Sequence, residues 1–114
     1  MFKHLILDDR VITDMGKQAL QIFRESLPIL QVLSDPHRQD ILLFLSENGR
    51  KTVNEITEQL ILSRPAVSHH LKLLKNAGVV KVEQAGTQRY YELSMQESVE
   101  LLRRLLTALE RDCL

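Results

Sequence analysis

Leu62-Ser63-Arg64-Pro65-Ala66-Val67-Ser68-His69-His70-Leu71-Lys72-Leu73-Leu74 is the stretch whose reading decides the fold. Ser63 is a good helix N-cap, and Pro65 fits the first helical turn, where its missing amide proton costs nothing. Val67, Leu71 and Leu74 then recur at helical spacing, with Ala66 and Leu73 on the flanks of that apolar stripe. The opposite side carries Arg64, Ser68, His69 and Lys72, all donors or cations, with no acid among them. A helix lying in a DNA major groove needs this division: one side fixed to a core, the other reaching phosphates and base edges. An ordinary solvated amphipathic helix shows the same division, so the neighbouring segments must decide.

Upstream, Thr52-Val53-Asn54-Glu55 has the form of a capping box and predicts a short helix with Val53, Ile56 and Leu60 inward. A short helix, a tight turn and a second helix with a polar outer face is a helix-turn-helix, although this turn lacks the glycine often found there. Further upstream, Ser34-Asp35-Pro36 predicts another capped helix, carrying Ile41, Leu42, Phe44 and Leu45 and ending at Asn48-Gly49. Downstream, Gly78 is placed to close the 63–77 helix in a left-handed conformation. Val79–Glu83 then reads as a strand, Gln84–Thr87 as a turn and Gln88–Leu93 as a second strand. A hairpin directly after such a helix is a wing. Its cations are Lys81 and Arg89, and Gln84, Thr87 and Gln88 lie near its tip, where amide and small side chains can meet a minor groove or the DNA backbone. A purely structural hairpin is the alternative.

The two ends of the chain read differently. Leu5, Ile6 and Leu7 suit a short strand or an arm. Thr13 can cap a helix over Asp14–Glu25 with Met15, Ala19, Ile22 and Phe23 along one side. Ser26-Leu27-Pro28 predicts a break or kink, followed by a short second helix through Ile29, Leu30, Val32 and Leu33. The last helix starts near Met95, with Val99, Leu102, Leu106, Leu109 and Cys113 at helical spacing, widened by Leu101 and Leu105. So much leucine exceeds what one intramolecular contact needs, and a symmetric dimer that buries it together with the first helix is the economical explanation. Met15, Ala19, Ile22, Val99, Leu102, Leu106 and Leu109 are the expected dimerisation residues. Packing over the domain's own core is the alternative.

Composition bounds these readings. A chain of 114 residues suits one domain, here an arm and dimerisation helices over 1–33, a winged helix-turn-helix core over 34–93 and a C-terminal helix over 95–114. The expected class is mainly α with a small β-hairpin. Fifteen basic and fifteen acidic residues cancel, yet Arg64, Lys72, Lys75, Lys81 and Arg89 face only Glu83 between positions 64 and 89, so that segment carries +4. The lone Cys113 excludes an intrachain disulfide framework and fits a reducing compartment. No apolar run reaches the roughly 20 residues of a membrane span, and the N-terminal apolar run is too short for a signal peptide; the expected location is the cytoplasm. No phosphate loop, nucleophile–base pair or metal motif points to an enzyme or a cofactor. His37, beside Pro36, reads as structural or solvated, and Cys113 as an apolar end to the leucine stripe rather than a redox-reactive thiol.

Three segments together carry a family resemblance: Ser34-Asp35-Pro36-His37-Arg38-Gln39-Asp40-Ile41-Leu42, then 62–80, then Gly86-Thr87-Gln88-Arg89-Tyr90-Tyr91-Glu92-Leu93. In order and spacing they resemble the arsenic-repressor (ArsR/SmtB) family of bacterial winged-helix regulators over roughly residues 26–95. The resemblance implies a homodimer joined through first and last helices. Such a dimer binds an inverted repeat in double-stranded DNA and represses transcription until an inducer releases it. It places DNA contacts at Ser63, Arg64, Ala66, Ser68, His69 and Lys72, with Thr87, Gln88 and Arg89 on the wing. Where the family wing commonly has arginine after the turn glycine, this chain has Thr87, and the cation is Arg89. The family's thiolate metal site needs cysteines that Arg50–Ile56 lacks, and its C-terminal-helix site falls on Met95, Glu97, Ala108 and Arg111. Scattered His4, Asp8, Asp9 and Cys113 form no motif, so no metal site is expected and the inducer is left open. A winged-helix dimer used mainly for protein contacts is the rival reading.

Overall fold

The structure, a computed structural model, describes residues 14–114, and side-chain surroundings from residue 16 onward. The arm at 1–10, the Thr13 cap, the Met15 side chain and the scattered His4, Asp8 and Asp9 lie outside the described residues. The order is α1 (Asp14–Leu33), α2 (Pro36–Asn48), α3 (Val53–Gln59), α4 (Arg64–Asn76), β1 (Val80–Ala85), β2 (Gln88–Leu93) and α5 (Gln96–Cys113). These elements group into two compact units: Pro28–Ser98, and the described residues up to Leu27 with Val99–Leu114.

The helix starts in the 28–98 unit are set by side chains the sequence marks. Asp35 caps α2, its carboxylate accepting from the amides of His37 at 2.8 Å and Arg38 at 3.2 Å. Thr52 and Glu55 form the complete capping box of α3, with Thr52 Oγ1 accepting from Glu55 N at 3.2 Å and Glu55 Oε1 from Thr52 N at 3.0 Å. Ser63 caps α4 by accepting from Ala66 N. That helix ends in a Schellman motif, with Gly78 N bonded to Lys75 O, Val79 N to Leu74 O, and Gly78 at φ 77°. Between α3 and α4 the chain turns without any positive-φ residue, which is why it needs no glycine.

These helices close over Val32, Ile41, Leu45, Ile56, Val67, Leu71, Leu74 and Val79, with Tyr91 and Val80 from the hairpin. Val67, Leu71 and Leu74 have no exposed surface, so the apolar stripe of α4 is its core side. Each such side chain contributes about 1.5–3 kcal/mol of burial, which fixes the rotation of α4 and thereby the direction of its polar side.

Two expectations are corrected. The break at Ser26-Leu27-Pro28, with separate helices on either side, is absent: α1 runs through Pro28 without interruption. Proline loses one backbone bond and crowds the previous turn, at a cost of about 3 kcal/mol. Ile29 and Val32, both 6% exposed, bury enough surface in the following turn to offset it. The predicted four-residue turn over Gln84–Thr87 is instead the two residues Gly86-Thr87, because pairing continues to Ala85↔Gln88. Gly86 at φ 66°, with no positive φ at Thr87, is the pattern of a type II′ turn, whose twist matches that of the strands. β1 begins one residue late because the Val79 amide closes α4.

A two-stranded hairpin is marginal alone, and this one is tied down at its base. Lys51 N donates to Tyr91 O at 2.9 Å and Tyr91 N to Lys51 O at 2.8 Å, an isolated antiparallel bridge from the α2–α3 connection. The Arg50 guanidinium lies 4.6 Å from the Tyr90 ring centroid and 3.6 Å from the Glu83 carboxylate.

In the other unit Ala19, Leu105 and Ala108 are buried. Ser26 is also fully buried, its hydroxyl donating to Ile22 O at 2.8 Å. The buried line of α5 is therefore Leu105, on the widened flank of the predicted stripe, with Ala108 just outside it, while Val99 and Leu106 are 42% and 60% exposed. Among the described residues no helix is long and apolar enough to cross a membrane.

Candidate nucleic-acid interface

The polar side of α4 and the inner edge of the wing face each other across an open cleft of about 570 Å3. Arg64, Ser68, Lys72, Lys75 and Asn76 come from α4; Thr87, Gln88, Arg89 and Tyr91 from the hairpin; Thr52, Val53 and Asn54 from the start of α3. Arg64, Lys72, Lys75 and Arg89 put four cations on this cleft, and no carboxylate lines it. None of the four has an ion-pair partner among the described residues, whereas Lys81 is neutralised by Glu92 at 3.2 Å on the opposite strand. Unpaired cations converging on one groove make a surface for a polyanion. Arg64 is also held: its Nε donates to Asn54 Oδ1 at 2.7 Å.

Six of the residues singled out from the sequence are thus brought together: Arg64, Ser68, Lys72, Thr87, Gln88 and Arg89. Ser63, Ala66 and His69 are outside the cleft. At 3.6 residues per turn, Ser68, Lys72 and Lys75 lie within about 80° of Arg64 around α4, while His69 is about 140° and Ala66 about 160° away. Ser63 spends its hydroxyl on the cap, Ala66 is half-buried and His69 is exposed on the flank. Lys75, counted above only in the charge of the 64–89 segment, and Asn54, quoted only within the capping box, also line the cleft without having been among the expected contacts. The spacing 64, 68, 72, 75 carries the signal for Lys75; Asn54 has none, because only the α3–α4 packing brings it to Arg64.

On the other side of α4, His70 faces α2. Its Nδ1 lies 3.3 Å from Arg38 Nη1, and its ring centroid is 6.0 Å from that of His37. Arg38 is only 14% exposed and also donates from Nε to Val32 O at 2.7 Å. Burial holds His70 below the ordinary imidazole pKa; the charges of Arg38, His37 and His69 push the same way and Asp35 opposes them. For Asp35, burial pushes the carboxyl up but is outweighed by the Arg38 and His37 amides and the neighbouring positive charge, so it is held low. Among the described residues no group of three or more His, Cys, Asp or Glu side chains is placed to hold a metal ion, and Cys113 is exposed.

A capped helix pair, a hairpin wing and a cationic, acid-free cleft between them define a winged helix-turn-helix protein. Residues 35–82 match the model of the bacterial regulatory proteins of the arsR family. The chain is 33% identical over 84 residues to an uncharacterised HTH-type transcriptional regulator of Methanocaldococcus jannaschii, covering 74% of this chain and 94% of that protein. It is 36% identical over 74 residues to the transcriptional repressor SdpR of Bacillus subtilis, covering 62% of this chain and 81% of that one. An ArsR-like transcriptional regulator from Rhodococcus superposes with a TM-score of 0.63 at 26% identity, covering 78% of this chain and 79% of the other. The chain belongs to the ArsR family of winged helix-turn-helix transcriptional regulators, DNA-binding proteins that typically act as dimers and are not enzymes.

Proposed function

We propose that this protein is a cytoplasmic repressor that binds an inverted-repeat operator as a homodimer, with α4 in the major groove and the wing beside it. The four unpaired cations lining an acid-free cleft carry this reading. Ser63, Arg64, Ala66, Ser68, His69 and Lys72 supply the helix contacts and Thr87, Gln88 and Arg89 those of the wing, with Arg64, Ser68, Lys72 and Arg89 best placed for them. Residues 1–114 act as one DNA-binding domain, 34–93 reading DNA and the terminal helices joining protomers. Dimerisation draws on Met15, Ala19, Ile22, Val99, Leu102, Leu106 and Leu109. Ala19 is buried within its own protomer, so the open members Val99 and Leu106 carry most of the contact. The inducer is not a metal bound at the family's usual positions.

The test is selection of duplexes from a random-sequence pool, followed by affinity measurement across a salt series. Affinity should fall steeply, with a log–log slope of about −0.9 for each phosphate neutralised. Lys72→Ala should weaken binding to selected and scrambled duplexes alike and flatten the slope by about one phosphate's worth. A protein that enriches no sequence and shows no salt dependence would instead be an interaction module.

A further inference from the structure

We propose that Asn54 is a positioning residue that aims the Arg64 guanidinium at a guanine edge, making α3 a partner of α4 in sequence selection. The inference rests on the DNA-binding reading above. Arg64 opens α4, and Asn54 is the second residue of α3, on the floor of the same cleft. A guanidinium has five N–H donors in a rigid plane. Asn54 Oδ1 takes the Nε donor at 2.7 Å, and the terminal Nη1 and Nη2 groups have no acceptor among the described residues. One fixed edge and one open end is the state in which arginine presents two parallel N–H bonds to guanine O6 and N7. An arginine without such a brace spreads over many rotamers, and ordering it on binding costs part of the contact.

Exposure of Asn54 and of the Arg64 side chain keeps this bond out of the core, so its loss leaves the fold intact. The other cations, Lys72, Lys75 and Arg89, have no hydrogen-bonded brace among the described residues, which suits phosphate contact in many geometries. Base reading is therefore assigned to Arg64 and backbone attachment to the remaining three.

The experiment uses the full chain and a duplex it selects from a random-sequence pool, against a scrambled duplex of equal length. Wild type, Arg64→Ala, Asn54→Ala, Asn54→Asp and the double alanine variant are compared for affinity, salt slope and melting midpoint. Arg64→Ala should lose about ten-fold of its preference for a guanine at one base pair of each half-site. Asn54→Ala should lose about three- to ten-fold at the same base pair, with salt slope and melting midpoint unchanged, and should add nothing to Arg64→Ala. Asn54→Asp keeps the acceptor: it should bind every duplex more weakly through charge repulsion while retaining the guanine preference. Full preference in Asn54→Ala, with loss in Arg64→Ala, would overturn the positioning role and leave the DNA-binding reading standing. Full preference in both would overturn the assignment of base reading to Arg64. Failure of the wild-type chain to enrich any sequence would overturn the DNA-binding reading itself.

Discussion

His70 shares a helix with the cations that line the cleft yet serves a different purpose. Arginine only donates, so the 3.3 Å contact with Arg38 makes His70 Nδ1 an acceptor and the ring neutral, with its proton on Nε2. Protonation would abolish that bond and set a cation beside Arg38. The lowered pKa of His70 means that the native state takes up its proton later than the unfolded chain, whose ring titrates near 6.5. Above that value both states are neutral and the group is silent. As pH falls through about 6.5 the unfolded state gains protons first, and stability declines. His70→Gln offers an acceptor that does not titrate, so its urea midpoint should stay flatter than wild type between about pH 7 and about pH 5. Equal slopes in that window would show that the Arg38–His70 contact does not govern acid sensitivity. Asp35 and Glu55 act in a separate, more acid window. Both are held below their ordinary values of 3.8 and 4.5, so the stability they contribute is present above those values and lost as pH falls from them through the lowered ones.

At the scale of elements, the wing shows how a local conformation controls a larger surface. Gly86 at φ 66° sets the two-residue turn that aligns Thr87, Gln88 and Arg89 along the cleft. A Cβ there meets no atom within 4 Å, so Gly86→Ala is strained by its backbone alone. It should cost about 1 kcal/mol or somewhat more in wing stability. Hydrogen exchange should quicken at the amides of β1 and β2 near the tip while those of α2 and α4 keep their protection, and DNA affinity should fall with it. Unaltered exchange at the tip would mean that the turn tolerates another conformation. The same contrast between local and distant causes explains what could be read from residues alone. Asp35, Thr52, Ser63 and Gly78 act on amides and carbonyls within a few positions, so each boundary they set was legible. Pro28 was misread because its local penalty is outweighed by burial of Ile29 and Val32, which no nearby residue announces. The cleft was half legible for a similar reason: helical spacing gives Arg64, Ser68 and Lys72, while the Asn54–Arg64 bond joins residues ten positions apart through packing.

For the molecule as a whole, neutrality hides a division of labour between the charged cleft and the apolar terminal unit. In that unit Leu20, Phe23 and Leu27 on α1 and Val99 and Leu106 on α5 are each about 40% exposed or more. Five large apolar side chains open to water in so small a unit are costly for a lone protomer and profitable for a symmetric pair. Leu106, 60% exposed on the open side of α5, is the sharpest probe, because a charge there is harmless in a monomer and buried in a dimer. Leu106→Glu should therefore sediment as a monomer at concentrations where wild type is a dimer. Its affinity for an inverted repeat should drop by about 10²–10⁴, since the second half-site is no longer bound intramolecularly. Leu43, equally exposed but on α2, is the matched control: Leu43→Glu should leave both mass and operator affinity unchanged. If Leu106→Glu stayed dimeric, the apolar face of α5 would not be the subunit interface. If it became monomeric yet bound the operator as tightly as wild type, the two half-sites would be read independently, and dimerisation would have to serve something other than DNA affinity.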